Sequence, residues 1–410
     1  MMLRTRDLIS LAGSLGLLVA CGGGDDGGGG GGDGGGGDLD AAPAACTERR
    51  VTFDASMVQH AWDDGIAAVF DGDRLAVATA RGANTDYLIE VTVLDAAGQR
   101  WRAQAGAAAY PDSGETPPHL ALAQGGDKLA VAWNQVRRDD STPRLTQVAV
   151  AEFASDGTPL RPASVQTRAT YGLNSVEANA PRLGYLRGAD QFALGWSEMR
   201  VEPGDTYFTY NAFAKVLGGT ETRLVENPNP AGDVGLLMAQ VEAFGVDGDE
   251  AFAVTYSSAP SATYAAFAIS PQGAGPGAEI YTGTGGHISS TAKVGEAIGF
   301  VKFSGLNGEA VVSVGGTPRL VNLDDTPIAA AVVATGTSFV FALQPRGDFP
   351  FQVVEVSPDG ELGRTRFTGP TVTRSSILHA SLDGNALHLV WLRDDLGLWT
   401  VTGETVCLEP

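Results

Sequence analysis

Carboxylates and histidines are the residues of this chain whose types and spacing come nearest to catalytic or metal-binding chemistry. Adjacent aspartates include Asp139-Asp140, Asp324-Asp325 and Asp394-Asp395. Two carboxyl groups that face one glycosidic bond, about 5 to 10 Å apart, can cleave it. Adjacent residues of a strand point to opposite sides, however. We therefore interpret the pairs as surface charge, and the sequence predicts no catalytic residue.

Three histidines share a position in front of a recurring apolar strand. His119, His287 and His379 precede that strand by 10, 12 and 8 positions. Three imidazoles are a common zinc ligand set, but the unequal spacing places these at different heights. Scattered polar residues lining a channel are favoured, and we expect no metal and no cofactor. The chain also lacks Gly-x-Ser-x-Gly, His-Glu-x-x-His and a Gly-x-Gly-x-x-Gly that opens a helix.

Mixed charge collects in the segments that follow the recurring strand. Loops on a rigid scaffold are frequent binding sites, so these segments form a candidate binding face. A solvated rim of salt-bridged loops is the alternative. The candidate residues of this face are Arg137, Arg138, Asp139, Asp140, Glu198, Arg200, Glu202, Arg393, Asp394 and Asp395.

The recurring strand is the element that must position these residues. It begins as Leu75-Ala76-Val77-Ala78-Thr79 and returns as Leu129-Ala130-Val131-Ala132-Trp133. Five further copies start at Phe192, Phe252, Gly299, Phe339 and Leu387. Self-similarity with a period of about 40 to 60 residues indicates a repeat architecture.

Each copy lies within a unit of four predicted strands. Turns such as Gly125-Gly126-Asp127 and Asp383-Gly384-Asn385 flank the recurring strand, and Gly, Asp and Asn supply the left-handed backbone of tight hairpins. Four antiparallel strands per repeat are typical of a propeller blade. The seven copies resemble a seven-bladed β-propeller, an all-β fold, whereas a sandwich fits the spacing less well. None of the signatures of the Trp-Asp, kelch or aspartate-box families is present.

Side-chain size alternates along the recurring strand. In Leu129-Ala130-Val131-Ala132-Trp133 the large residues fall on one face and the alanines on the other. The large face of one blade therefore packs on the small face of the next. Aromatic residues end several copies, at Trp133, Trp196, Tyr256, Phe303 and Trp391. We interpret them as packing between blades; a sugar-binding platform is the alternative.

The N-terminus carries an export signal. Arg4 and Arg6 precede an apolar stretch that is too short to span a bilayer and ends at Leu18-Val19-Ala20-Cys21. This segment resembles the lipobox of bacterial lipoproteins, which implies that residues 1–20 are a signal peptide and that Cys21 is lipidated. An ordinary cleaved signal peptide is the alternative. The resemblance implies a lipid-anchored protein of the cell envelope, at the outer membrane, with its domain in the periplasm or at the cell surface.

Residues 21–45 form the predicted tether. Residues 22–37 consist of thirteen glycines and three aspartates, which offer no apolar surface to order them. A flexible chain of 24 residues, from Gly22 to Ala45, spans roughly 25 to 30 Å. The predicted propeller domain then covers residues 46–410.

Two cysteines bracket that domain. Cys46 precedes its first strand and Cys407 lies three residues from the C-terminus. In an exported protein, oxidation of such a pair is the default. A Cys46–Cys407 bridge would lock the first and last blades of a ring together, although the sequence leaves open which strands close it.

Composition limits the partners. The formal net charge of −21 argues against nucleic acid, because binding to phosphates needs clustered Lys and Arg. The 43% hydrophobic content supports a large core. We expect a monomeric binding or scaffolding module for a protein or a glycan. A carbohydrate hydrolase or lyase with its site at the axial mouth of the propeller is the alternative, and a purely structural role in an envelope complex is a third reading.

Overall fold

The structure, a computed structural model, describes most of the chain between Cys46 and Leu408 and none of residues 1–45. The lipobox, Cys21 and the tether therefore lie outside the described residues. The described residues are 46–56, 58, 65–83, 86–109, 118–137, 145–167, 178–200, 209–225, 238–247, 250–258, 261–304, 307–323, 326–345, 350–371, 375–395 and 398–408.

All regular elements among these residues are β-strands, arranged as seven antiparallel sheets. Strand β1 (Arg49–Asp54) precedes the first blade and belongs to the seventh. The first three blades are β2 (Ile66–Phe70), β3 (Leu75–Ala83), β4 (Asp86–Asp95) and β5 (Gly98–Ala109); β6 (Leu120–Gly125), β7 (Lys128–Arg137), β8 (Leu145–Ala154) and β9 (Pro159–Val165); and β10 (Ala178–Leu186), β11 (Gln191–Arg200), β12 (Thr209–Val216) and β13 (Thr222–Val225).

The remaining blades follow the same order, except that the fourth has a divided outer strand. The fourth blade is β14 (Ala239–Asp247), β15 (Glu250–Ser257), β16 (Ala262–Ser270), β17 (Gly273–Ala274) and β18 (Ala278–Gly283). The fifth is β19 (His287–Val294), β20 (Ala297–Ser304), β21 (Asn307–Val314) and β22 (Thr317–Leu320). The sixth is β23 (Pro327–Ala334), β24 (Phe339–Pro345), β25 (Pro350–Val356) and β26 (Leu362–Thr371). The seventh is β27 (Ser375–Asp383), β28 (Ala386–Asp395), β29 (Leu398–Cys407) and β1.

The blades close into a ring around their first strands. Each first strand contacts the first strand of the next blade, through β6, β10, β14, β19, β23 and β27, and β27 contacts β2. These seven strands are therefore the inner strands of the ring. The predicted seven-bladed β-propeller is confirmed. Within the described part of the chain, no helix is long and apolar enough to cross a membrane.

The recurring apolar strand is the second strand of every blade, next to the inner one. In β7 the large residues Leu129, Val131 and Trp133 share a hydrophobic cluster with the first blade, whereas Ala130 and Ala132 share one with the third blade. Successive sheets thus pack large side chains on small ones, as the alternation predicts. The approach is close: a Cβ atom on Gly106 of β5 would lie 2.4 Å from the Trp133 ring, so this position requires glycine.

The ring closes within the seventh blade, where both ends of the chain meet. Strand β1 pairs with β29 in antiparallel register, from Arg49 opposite Thr405 to Asp54 opposite Thr400. The first strand of the domain therefore completes the last sheet. Cys46 and Cys407 form a disulfide beside this pair, with Cα atoms 5.6 Å apart. The predicted bridge is confirmed.

The disulfide is expected to stabilise the closed ring. A cross-link between residues 361 positions apart removes much of the conformational freedom of the unfolded chain. Replacing both Cys46 and Cys407 by Ala should lower the free energy of unfolding by about 2 to 5 kcal/mol. Thermal or urea unfolding measures this change, and reduction of the wild type serves as the control. Equal unfolding midpoints for oxidised and reduced protein would show that β1–β29 pairing alone closes the ring.

Candidate functional site

The predicted charged face is only partly described. Arg138, Asp139, Asp140 and Glu202 lie outside the described residues. Arg137, Arg200 and Asp395 are the last residues of β7, β11 and β28, and Asp394 precedes Asp395. The second strands of all blades end at the same side of the ring. These residues therefore lie at that side, in the second, third and seventh blades. Arg393, in β28, is exposed.

Glu198 requires a correction, because it is buried and cannot form part of an exposed face. It lies in β11 opposite Asn211 and is fully buried. Its carboxylate accepts a hydrogen bond of 2.7 Å from Nε1 of Trp196. A buried carboxylate needs such a partner, and the buried indole needs an acceptor. Glu198 therefore supports the core of the third blade.

The aromatic residues of the recurring strand are packing residues. Trp133, Trp196, Phe303 and Trp391 are buried, and Tyr256 is half-buried. Trp196 stacks on Phe213 with ring centroids 5.7 Å apart. Burial of this kind leaves no open platform on which a sugar ring could stack.

The three histidines occupy different environments. The backbone N–H of His119 donates to Oδ1 of Asn134, at 2.7 Å, and the ring of His287 stacks on Phe303. His379 lies in β27 and is 2% exposed, with no hydrogen-bond partner for either ring nitrogen. Among the described residues, no three His, Cys, Asp or Glu side chains are grouped as metal ligands.

An inner-strand carboxylate that sequence reasoning missed is the acid with the most perturbed titration among the described residues. Strand β14 has a bulge between Val241 and Ala243, and Glu242 is the extra residue. Its side chain is 1% exposed. Burial raises the pKa of Glu242 to about 7, against the opposing effects of Gln240, Arg182 and the Ile288 amide. A carboxyl group that titrates near neutrality is a candidate general acid or base.

The surroundings of Glu242 join three blades. One carboxylate oxygen accepts a hydrogen bond from Nε2 of Gln240, and the other accepts one of 3.0 Å from the backbone N–H of Ile288 in the fifth blade. The backbone carbonyl of Glu242 accepts one of 2.8 Å from Nε of Arg182 in the third blade. Both carboxylate oxygens are therefore occupied, and Glu242 connects neighbouring inner strands.

Other polar side chains of the inner strands also connect blades. Ser289 donates to the carbonyl of Ala330, and Ser290 accepts from the N–H of Val332. Ser381 in β27 donates to the carbonyl of Phe70 across the interface between the seventh and first blades, here called the closing interface. A signal for this role was present in the sequence, since each of these polar residues interrupts an apolar strand.

Comparison with known proteins assigns neither a family nor an activity to this chain. No family model matches the chain, and no curated protein sequence matches it. A prolyl endopeptidase is similar over 85% of this chain and 47% of its own, at 14% identity and a TM-score of 0.45, so the chain spans about half its length. The periplasmic gluconolactonase PpgL of Pseudomonas aeruginosa is similar over 77% of this chain and 88% of its own, at 18% identity and a TM-score of 0.43.

A Trypanosoma rangeli sialidase is a further similar structure. The similarity covers 88% of this chain and 58% of the sialidase, at 11% identity and a TM-score of 0.44.

The buried His379 is expected to make the closing interface sensitive to acid. Burial lowers the pKa of His379 to about 3, and the neighbouring His388 acts in the same direction. Burial also lowers the pKa of His388, against the opposing charges of Asp383 and Asp71. The pKa of His379 in the folded state lies below its unfolded value near 6.5. The contribution of the neutral His379 ring to the free energy of unfolding is therefore complete above pH 6.5. It is lost as the pH falls towards 3.

Replacing His379 by Leu should remove this dependence. Between pH 7 and pH 5, the wild type should lose about 1 to 2 kcal/mol of unfolding free energy relative to the variant. Urea unfolding at the two pH values measures the difference, with His119→Leu as the control. Parallel pH profiles for wild type and His379→Leu would contradict the assignment.

Proposed function

We propose that the protein is a lipid-anchored binding module of the bacterial cell envelope. In this proposal, Cys21 carries the lipid, residues 22–45 act as the tether, and the propeller presents one face to a protein or a glycan. The module acts as a monomer at the outer membrane. The partner meets the side of the ring at which the second strands end, where Arg137, Arg200 and Asp395 are found.

The occupied state of Glu242 is the observation that favours binding over catalysis. A hydrolase with its site at the axial mouth needs a carboxyl group that reaches the substrate. That carboxyl group must also exchange protons with the substrate. Glu242 has a suitable pKa, but it is 1% exposed and both of its oxygens hold neighbouring groups. The inner-strand serines are likewise engaged between blades. The polar groups of the inner strands thus serve the scaffold.

Charge reversal tests the binding face. Arg137, Arg138, Arg200 and Arg393 are changed together to Glu in the full chain, and envelope partners are captured by pull-down at low salt. We expect capture to fall roughly tenfold or more, because complementary charge steers and stabilises such contacts. The matched control reverses four outer-strand arginines, Arg100, Arg102, Arg223 and Arg364. Equal capture of envelope partners by the face variant and the outer-strand control would contradict the assignment of this face.

The catalytic alternative predicts a different result for Glu242→Gln. A glutamine cannot accept hydrogen bonds at both of its terminal atoms, so one donor loses its partner. We expect the free energy of unfolding to fall by about 1 to 3 kcal/mol while partner capture persists. The control is Glu361→Gln, in an exposed turn. Turnover on a panel of glycans that disappears in folded Glu242→Gln would instead establish an axial enzyme.

A further inference from the structure

One register position on the outer rim of the propeller carries, in two of the blades, a side chain that hydrogen-bonds to the next blade. Trp101, Arg161 and Arg319 occupy this position in the outer strands of the first, second and fifth blades. They pair with Val93, Glu152 and Val312 of the third strands, each two residues before that strand ends in a turn. All three carry a bulky side chain.

Two of these side chains, Trp101 and Arg319, donate hydrogen bonds to the next blade. Nε1 of Trp101 donates a hydrogen bond of 2.8 Å to the carbonyl of Ser155, and its ring packs on Phe153. Nη1 of Arg319 donates one of 3.0 Å to the carbonyl of Asp359. In both cases the acceptor lies in a turn of the neighbouring blade. Below Trp101, only about 20 Å³ of cavity is left between the first and second blades.

The fourth blade has no side chain at this position. Its counterpart is Gly275, whose N–H donates to the carbonyl of Ala268, the residue that corresponds to Val312. Gly275-Pro276-Gly277 separates β17 from β18, and both short strands pair with β16. Proline lacks the N–H needed for continuous pairing. The outer strand is therefore interrupted at the position that Trp101, Arg161 and Arg319 occupy in the first, second and fifth blades.

A cleft of about 550 Å³ is open between the fourth and fifth blades, and Pro276 of the interrupted outer strand lines it. The fifth-blade wall corresponds to the wall covered by Trp101: Lys293, Glu296, Ile298 and Gly315 stand at the hairpin positions of Gln124, Asp127, Leu129 and Ser155. The same surface is thus covered in one interface and accessible in the other. The volume lies in the range of small-molecule sites.

The walls combine an apolar floor with a negative rim. Phe252, Ile280 and Ile298 are buried at the floor. Glu250, Glu279 and Glu296 are exposed at the rim. Lys293 is the cation among the lining residues, so carboxylates outnumber ammonium groups there. This arrangement suits a ligand with a positive head and an apolar body.

The floor also holds a polar group that the protein does not satisfy. Ser313 lines the cleft beside its cross-strand partner Ile298 and is 2% exposed. Its hydroxyl has no hydrogen-bond partner. Buried hydroxyls are nearly always paired, and an orphan calls for a specific reason. A ligand that reaches the floor of the cleft would supply the partner.

We infer that the cleft between the fourth and fifth blades is a binding site for a small organic cation. The ammonium or guanidinium group of the ligand lies among Glu250, Glu279 and Glu296, its apolar body covers the floor, and a polar atom of the ligand pairs with Ser313. The site is separate from the face proposed for a protein or glycan. Its occupancy does not depend on the arginines tested there.

Three indole probes that differ in charge test the proposal on the full chain by calorimetry at low salt. Tryptamine is the cation, tryptophol the neutral analogue and indole-3-propionate the anion. We expect tryptamine to bind most tightly and the anion not to bind. Removing Glu279 or Glu296, as Glu279→Gln or Glu296→Gln, should weaken tryptamine about three- to fivefold each. Equal affinities for the three probes, or no heat from tryptamine, would overturn the proposal.

Gly275→Trp provides the decisive variant, because it restores the covering side chain of the first blade. A Cβ at Gly275 would meet only Ala268, at 3.7 Å or more, so the backbone accepts a side chain there. We expect tryptamine binding to be lost while the unfolding temperature is kept. The matched control, Leu362→Trp, places an indole on the exposed outer strand of the sixth blade. Undiminished tryptamine binding by folded Gly275→Trp would place the site elsewhere and refute the inference.

Discussion

Closure of the ring is the constraint on which the rest of this structure depends. Each sheet buries a face of large side chains against a face of small ones on its neighbour, so every blade needs a blade on both sides. A chain with free ends satisfies this only if its last sheet meets its first. Here β1 enters the seventh sheet beside β29, and the disulfide between Cys46 and Cys407 holds the two ends together. The same pairing brings Phe70 of the first blade against Gly403 of the seventh.

Closure also explains the polar groups near the axis. The inner strands lie where seven sheets converge, and their buried polar atoms have little access to water. Such atoms need hydrogen-bond partners within the protein, and a neighbouring blade can supply them. Glu242, Ser289, Ser290 and Ser381 have partners of this kind, and they thereby add directional contacts to packing that is otherwise apolar. His379 has no such partner, and its burial between the blades disfavours the charged form of the ring and lowers its pKa.

The outer rim obeys a weaker constraint, and this is where the blades differ. In the first and fifth blades one long side chain, Trp101 or Arg319, donates a hydrogen bond across the groove to the next blade. In the fourth blade the corresponding residue is Gly275, and the groove beside the fifth blade is open above the unpaired hydroxyl of Ser313. Variation along the outer strands therefore creates a distinct surface on a repeated scaffold. A repeat fold gains individual sites in this way without altering its core.

The linear chain was sufficient to predict the seven blades, the packing of large side chains on small ones between them, and the bridge between Cys46 and Cys407. Alternating side-chain size and turn residues act locally, and they recur in every copy. It did not reveal that Glu198 is buried, that Glu242 occupies a bulge, or that Gly275 stands opposite the surface that Trp101 covers elsewhere. Those properties depend on the register between strands and on which blade lies alongside. Residues that are distant in the chain set both, so only the folded ring decides them.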